Sequence, residues 1–429
     1  MKKTVITLLL SLCALALSAQ RTFDRSELLI GTYTLQSYAR TEAHIADLAA
    51  CGIDFVVSAE SADREMLDLF AKYNIGAVVN DVLPGWWGGD GSKAGQLRKS
   101  NPMSDYEKAI KEYKDHPAVW MIDIGDEPSA LDFPYYGEVY SKVRELMPGK
   151  LPYLNLYPNY ASVAENTASQ TVNQLGTRTY AEHIAEYCRN VPSDYLCYDF
   201  YLYAINVPKA FENLRIVSDA CLGSGRDMWI VLQVNSNRPE EWITEAGLRY
   251  QAYTAMAFGT QVITWACYTA GWWHNQVLDD KGNKTQQYDK LKRVNAELHR
   301  LGPEYMKFRR VSTSFVDFQG TGYLDGVGQS DVCSFNDGFF TGLETSDGSP
   351  LVVGSMISKS GDSSRAVFVC AADDPYDKAP AIHNLHFNTP EGREPMAFDG
   401  NGKVEVTKAA DGSWSLPIRS NCGVLIEIL

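Results

Sequence analysis

Eight short runs rich in apolar, β-branched and aromatic residues recur along the first two thirds of the chain, with helical patterns between them. This alternation constrains the fold more than any other feature. The runs cover 28–34, 53–58, 75–80, 119–125, 151–157, 195–201, 228–234 and 262–268. The intervening segments repeat apolar residues at helical spacing, as Met66, Leu67, Leu69 and Phe70 do within 63–73, and Tyr106, Ile110 and Tyr113 within 104–116. Segments 180–190, 207–222, 244–259 and 286–301 behave alike. Repeated βα units predict a parallel (β/α)₈ TIM barrel of α/β class. A doubly wound sheet is the alternative, but no Gly-x-Gly-x-x-Gly follows the first run.

After Gly302-Pro303 the texture changes. From about Val311 the segments are short and alternating, punctuated by Asn336-Asp-Gly338, Ser346-Asp-Gly348, Asp399-Gly-Asn-Gly402 and Asp411-Gly412. These are turn signals between antiparallel strands, and they predict a small all-β C-terminal sandwich. The expected division is 1–19 as a signal peptide, 20–303 as the barrel and 304–429 as the sandwich. Lys2 and Lys3 precede an apolar stretch over 5–17 that ends at Ser18-Ala19, the pattern of an export signal. Export to a periplasm or beyond is therefore expected, with no membrane span in the mature chain.

The formal net charge is −14, and loss of Lys2 and Lys3 would make it more negative. An acidic chain disfavours nucleic acid and anionic membrane as partners. Cysteines at 51, 188, 197, 221, 267, 333, 370 and 422 lack metal or redox spacing and read as small core residues. No motif calls for a cofactor or a metal.

In a parallel barrel the carboxyl ends of the strands converge on one face. There the sequence offers Glu60, Asp81, Asp126, Glu127, Asn155, Asp199, Tyr201, Gln233, Asn235 and Trp265. Trp86-Trp87 and Trp272-Trp273-His274 follow in loops. Acids, amides and aromatics dominate, with little Lys, Arg or His. Aromatic faces stack on sugar rings, while carboxylates and amides hydrogen-bond hydroxyls. A phosphate site would call for basic groups or a glycine-rich cradle. Each residue also has a plainer reading. Asp126 could cap the next helix with Glu127 in its first turn. The tryptophans could be core, and Asp199 and Tyr201 could simply close a strand.

The segment His116-Pro-Ala-Val-Trp-Met-Ile-Asp-Ile-Gly-Asp-Glu-Pro128 resembles the fourth strand of retaining glycoside hydrolases, the superfamily that includes family 42 β-galactosidases and exported Bacteroidetes members. Leu248-Arg-Tyr-Gln-Ala-Tyr-Thr-Ala-Met-Ala-Phe-Gly259, Val262-Ile-Thr-Trp265 and the ending Gly423-Val-Leu-Ile-Glu-Ile are similar as well. The resemblance implies a metal-independent glycosidase acting on a neutral oligosaccharide or glycoside, with Glu127 as proton donor. The convergence of strand ends adds expected sugar contacts at Asp126, Glu60, Asp81, Trp87, Asn155, Tyr201, Gln233, Asn235, Trp265, Trp272, Trp273 and His274. One departure matters. The superfamily carries its nucleophilic glutamate after strand seven, where this chain has Gln233. Three arrangements stay open. Another acid is the partner, Asp199 first, with Glu60 or Asp81 behind it. Alternatively, Glu240 or Glu241 folds back into the site. In the third, the barrel binds glycans without cleaving them.

Overall fold

A computed structural model describes residues 21–59, 63–84, 93–161, 174–318, 335–376 and 380–429. The eight apolar runs become eight parallel strands: β1 (Leu29–Tyr33), β2 (Phe55–Ala59), β3 (Gly76–Val79), β4 (Val119–Asp126), β5 (Leu151–Leu156), β6 (Tyr195–Phe200), β7 (Asp227–Gln233) and β8 (Thr260–Ala266). They close in sequence order, and β1 pairs with β8 from Leu29↔Val262 to Thr32↔Trp265. Burial on both faces explains why the strands read as nearly continuous apolar runs.

Aromatic packing fills the amino end of the barrel. Phe23 sits against Trp120 and Trp229, with ring centroids 6.2 and 5.2 Å away, and Tyr195 stacks flat on Trp229 at 3.6 Å. The opposite end is thereby left for the polar residues. The surrounding helices start at residues that satisfy their free N–H groups. Thr179 and Glu182 form a reciprocal capping box on helix Tyr180–Asn190, and Thr244 accepts from Gly247 N at 2.9 Å on helix Glu245–Ala257.

One helix departs from expectation. Gln286–Tyr305 runs straight through Pro303 instead of stopping near residue 301. A proline inside a helix forfeits a backbone hydrogen bond. Tertiary anchoring holds this turn: the Tyr305 hydroxyl lies 2.9 Å from both the Met256 and Thr260 carbonyls, and Leu301, Gly302 and Tyr305 are buried.

Beyond it lie two antiparallel sheets, as the turn-rich texture predicts. The larger one orders β9 (Phe308–Val316), β12 (Leu351–Ser358), β13 (Arg365–Ala371), β19 (Gly423–Ile428), β15 (Pro395–Asp399) and β16 (Gly402–Val404) side by side. The smaller is built from β10 (Phe335–Asn336), β11 (Thr341–Thr345), β14 (Ile382–Asn388), β18 (Trp414–Arg419) and β17 (Thr407–Lys408). Val353, Val367, Leu385, Phe387, Leu416 and Ile426 form the core between them.

The larger sheet packs on the barrel. Phe368 of β13 contacts the rings of Tyr253 and Tyr305, and Arg300 of the helix through Pro303 donates to the Gly400 carbonyl between β15 and β16 at 3.0 Å. Gly354 of β12 presses directly on helix Glu245–Ala257. A Cβ there would lie 2.2 Å from the Ala257 carbonyl oxygen. Backbone on both sides leaves nothing to give. Gly354→Ala should therefore destabilise the protein by about 1–3 kcal/mol or more. Urea unfolding followed by circular dichroism measures this, and an unchanged midpoint would contradict the close approach.

Candidate active site

The carboxyl ends of β4, β5 and β6 bring three acids and an amide together. β4 carries Asp126, and Glu127 follows it with φ +43°, a left-handed conformation that costs a side-chain-bearing residue about 1–3 kcal/mol. A hydrogen bond from Glu127 N to the Asn155 carbonyl, 2.9 Å, holds this turn. Asn155 of β5 is buried. Its Nδ2 donates to Asp126 Oδ1 at 3.1 Å and to Asp199 Oδ1 at 2.9 Å. The Cys197 thiol donates to its Oδ1 at 3.5 Å and so fixes which end of the amide faces the acids. Asp199, on β6, is only 3% exposed.

The Glu127 and Asp199 carboxyls lie close enough to shift one another, Asp199 raising Glu127 and Glu127 lowering Asp199. Desolvation, then the charges of Asp199 and Asp126, hold the Glu127 carboxyl well above the usual range. Asp199 is pushed up to about 7, chiefly by desolvation and then by Asp126, against the lowering effect of its hydrogen bonds from Asn155 and Glu127. Asp126 is itself raised by desolvation. A second buried acid on β4, Asp123, is also raised by desolvation and by Asp126, and it accepts from Gly125 N at 3.3 Å.

Aromatic rings wall this cluster. Tyr201 lies edge-on to Trp272 and Trp273, with centroids 5.9 and 5.0 Å away, and Tyr33 contacts Trp272 at 5.9 Å. Trp273 and Asn275 adopt positive φ in the loop after β8. Asn235 holds that loop by donating to the Trp272 carbonyl at 2.5 Å. Ser236 and His274 exchange backbone hydrogen bonds of 2.9 Å, so His274 contributes its backbone here while its side chain is exposed.

Several expected contacts lie elsewhere. Trp265 is fully buried, and its indole N–H donates to Asn295 at 2.9 Å, so it faces the helix layer and not the acids. Gln233 is also fully buried. Its Oε1 accepts from Tyr203 N and its Nε2 donates to the Asn235 carbonyl, both at 3.0 Å, so both ends of the amide are engaged in holding backbone. Asp81 accepts from the Tyr113 hydroxyl of helix Met103–Tyr113. Glu240 and Glu241 are exposed, with Glu241 2.8 Å from Arg238, so neither folds back among the acids. Glu60, Trp86 and Trp87 lie outside the described residues.

Sequence reasoning missed Asp123, Tyr33 and Tyr160. Asp123 had a signal, an acid inside an apolar strand. Tyr160 had none. Its exposed ring stands edge-on to Phe200, the residue after Asp199, with centroids 5.5 Å apart. Among the described residues, no three His, Cys, Asp or Glu side chains are arranged to hold a metal ion.

No protein-family model matches this chain, and neither does any curated protein sequence. Solved structures do match. A cycloisomaltooligosaccharide glucanotransferase from Paenibacillus sp., complexed with cycloisomaltoheptaose, is 8% identical, with 94% of this chain and 85% of that chain covered and a TM-score of 0.55. Xylanase 10B from Thermotoga maritima is 10% identical, covering 63% of this chain and 95% of its own, at a TM-score of 0.43. Endoglucanase Cel5A from Pseudomonas stutzeri is 14% identical, covering 62% and 94%, at 0.41. The first of these shows a shared fold along nearly the whole chain.

The raised carboxyls make a stability prediction. A carboxyl raised in the folded state favours folding below its unfolded pKa of about 4 and loses that contribution as pH climbs through its folded value. The Asp199 contribution is therefore lost through about 7. Asp199→Asn should melt close to the parent at pH 4 and above it at pH 8, by about 1 °C per kcal/mol recovered. A gap that does not open with pH, measured by scanning calorimetry, would contradict the buried pair.

Proposed function

We propose that this chain is a glycoside hydrolase that cleaves an O-glycosidic bond of a neutral oligosaccharide or glycoside. The observation that carries the reading is the placement of Glu127 and Asp199 at the ends of β4 and β6 of a barrel, linked through Asp126 and Asn155 and both with raised carboxyls. Glu127 is the proton donor, since its surroundings oppose ionisation more strongly. Asp199 is the second carboxylate. Carboxyls close enough to shift one another fit the short-range retaining arrangement better than the wide inverting one. In that mechanism Asp199 attacks the anomeric carbon as Glu127 protonates the leaving oxygen. Water then breaks the glycosyl–Asp199 ester, with Glu127 as base. The bound substrate sits between carboxyls about 5–5.5 Å apart. Tyr201, Trp272 and Trp273 supply ring faces for sugar, and Asn155 orients Asp199. The fold shared with a glucanotransferase that was solved with a cyclic oligosaccharide supports carbohydrate as the substrate class.

We further propose that the protein is exported, on the strength of Lys2-Lys3, the apolar 5–17 stretch and Ser18-Ala19. Mass spectrometry of the mature chain reads the cleavage site directly.

The engaged Gln233 amide favours one rival, a barrel that binds glycan without turnover. Reducing-sugar release separates the two. Glu127→Gln should lower kcat about 10²–10⁴-fold, and proton NMR should show the first product anomer with retained configuration. A ligand recovered intact from the parent protein would establish the rival instead. The pH profile is also specified. Activity should rise as Asp199 ionises near pH 7, and fall again only where Glu127 loses its proton. Asp126→Asn removes a charge that raises both groups, so the acid limb should move to lower pH. An unmoved limb would remove Asp126 from the account.

A further inference from the structure

A second cavity, of about 530 Å³, opens beside the catalytic face. Its volume falls within the range of small-molecule sites. Both halves of the chain line it. Tyr203 follows β6, shortly after Asp199, while Trp242, Glu240 and Glu241 come from the segment after β7. Lys290 comes from helix Gln286–Tyr305, and Tyr376 from the segment after β13.

Each wall is fixed. Tyr203 N donates to Gln233, and its hydroxyl donates to the Gly247 carbonyl at 2.9 Å. Lys290 Nζ donates to the Ile243 carbonyl at 3.1 Å and to Gln287 at 2.8 Å, and it lies 5.9 Å from the Trp242 ring centroid. Tyr376 is 53% exposed yet well held. Its ring stands edge-on to Tyr203 at 5.3 Å, and its N–H donates to Asp374 at 2.9 Å. Neighbouring Asp373 is paired with His383 at 2.8 Å, and Asn421 donates to the Asp374 carbonyl at 3.3 Å. An exposed ring held this firmly presents an aromatic surface at little further entropic cost on binding.

The chemistry of the lining selects a ligand. Three aromatic rings offer stacking faces, and two carboxylates offer hydroxyl acceptors. Glu240 and Glu241 stand against Lys290 and the Arg238 that pairs with Glu241, so the lining carries no excess positive charge to draw a polyanion. The loop after β8 touches both the segment lining this cavity and the aromatic wall beside the acids. Ser236 pairs with His274 on that loop, and Asn275 donates to the Pro239 carbonyl at 3.0 Å and to the Glu241 carbonyl. The other side of the same loop carries Trp272 and Trp273 against Tyr201.

We propose that the cavity at the seam of barrel and sandwich is a second carbohydrate site, which takes a neutral oligosaccharide segment and uses Tyr376 of the C-terminal half as its platform. This rests on the reading that the neighbouring site takes carbohydrate, but binding tests it separately from catalysis. The probes are neutral tetrasaccharides of β-1,4-glucose, β-1,4-xylose, β-1,4-mannose and α-1,6-glucose. They are titrated calorimetrically into the full-length Glu127→Gln protein, while product release by the parent protein reports on the catalytic reading. With the best tetrasaccharide, Tyr376→Ala and Trp242→Ala should each raise Kd about tenfold or more, and Tyr376→Phe should keep the parent value. Circular dichroism confirms that each variant is folded, and the exposed Tyr376 position tolerates truncation best. Absence of binding by all four probes would overturn the proposal. So would parent-like affinity in either alanine variant, or a loss that phenylalanine does not restore.

Discussion

The Glu127–Asp199 contact is the interaction on which the rest of this molecule depends. Two carboxyls held together away from water destabilise the fold at neutral pH, and they persist because the barrel over-determines them. β4 and β6 are fixed by their neighbours on both sides, and Asn155 of the strand between bonds Asp126 and Asp199 at once. The left-handed turn at Glu127 adds strain that a backbone bond to Asn155 restrains. Strain and raised carboxyl pKa values coinciding at strand ends are the mark of a functional cluster and would be poor choices for stability alone.

The two halves of the chain act as one body around that cluster. A single apolar core runs from the barrel strands through the helix layer to Phe368, Cys370 and Leu425 of the larger sheet. The Arg300 bond to the Gly400 carbonyl and the Gly354 contact with Ala257 fix the same seam. The sandwich therefore does more than follow the barrel in sequence. It presses on the helix after β7 and brings Tyr376 against Tyr203, just beyond the carboxyl end of β6.

Much of this was legible in the sequence, for physical reasons. Parallel strands buried on both faces must be apolar throughout, so all eight could be read. Their carboxyl ends converge by topology, so Asp126, Glu127, Asn155 and Asp199 could be grouped. Side-chain direction was not legible. Trp265 and Gln233 sit at strand ends as expected, yet Trp265 points outward to Asn295, and the Gln233 amide is consumed by backbone groups. Periodicity does not say which face of a strand looks inward when both are buried. The helix through Pro303 escaped for a similar reason, since a distant hydroxyl anchors it. Tyr160 escaped because a loop carries no periodic signal at all.

The central claim is that Glu127 and Asp199 titrate as a coupled pair that holds one proton between them once pH passes about 7. Carbon-13 NMR titration of the Asp and Glu carboxyl carbons tests it most directly, with Glu127→Gln and Asp199→Asn to assign the signals. The account predicts two separated steps from this pair, one near pH 7 and the other well above it. Two carboxyls titrating together near the ordinary value of about 4 would contradict it.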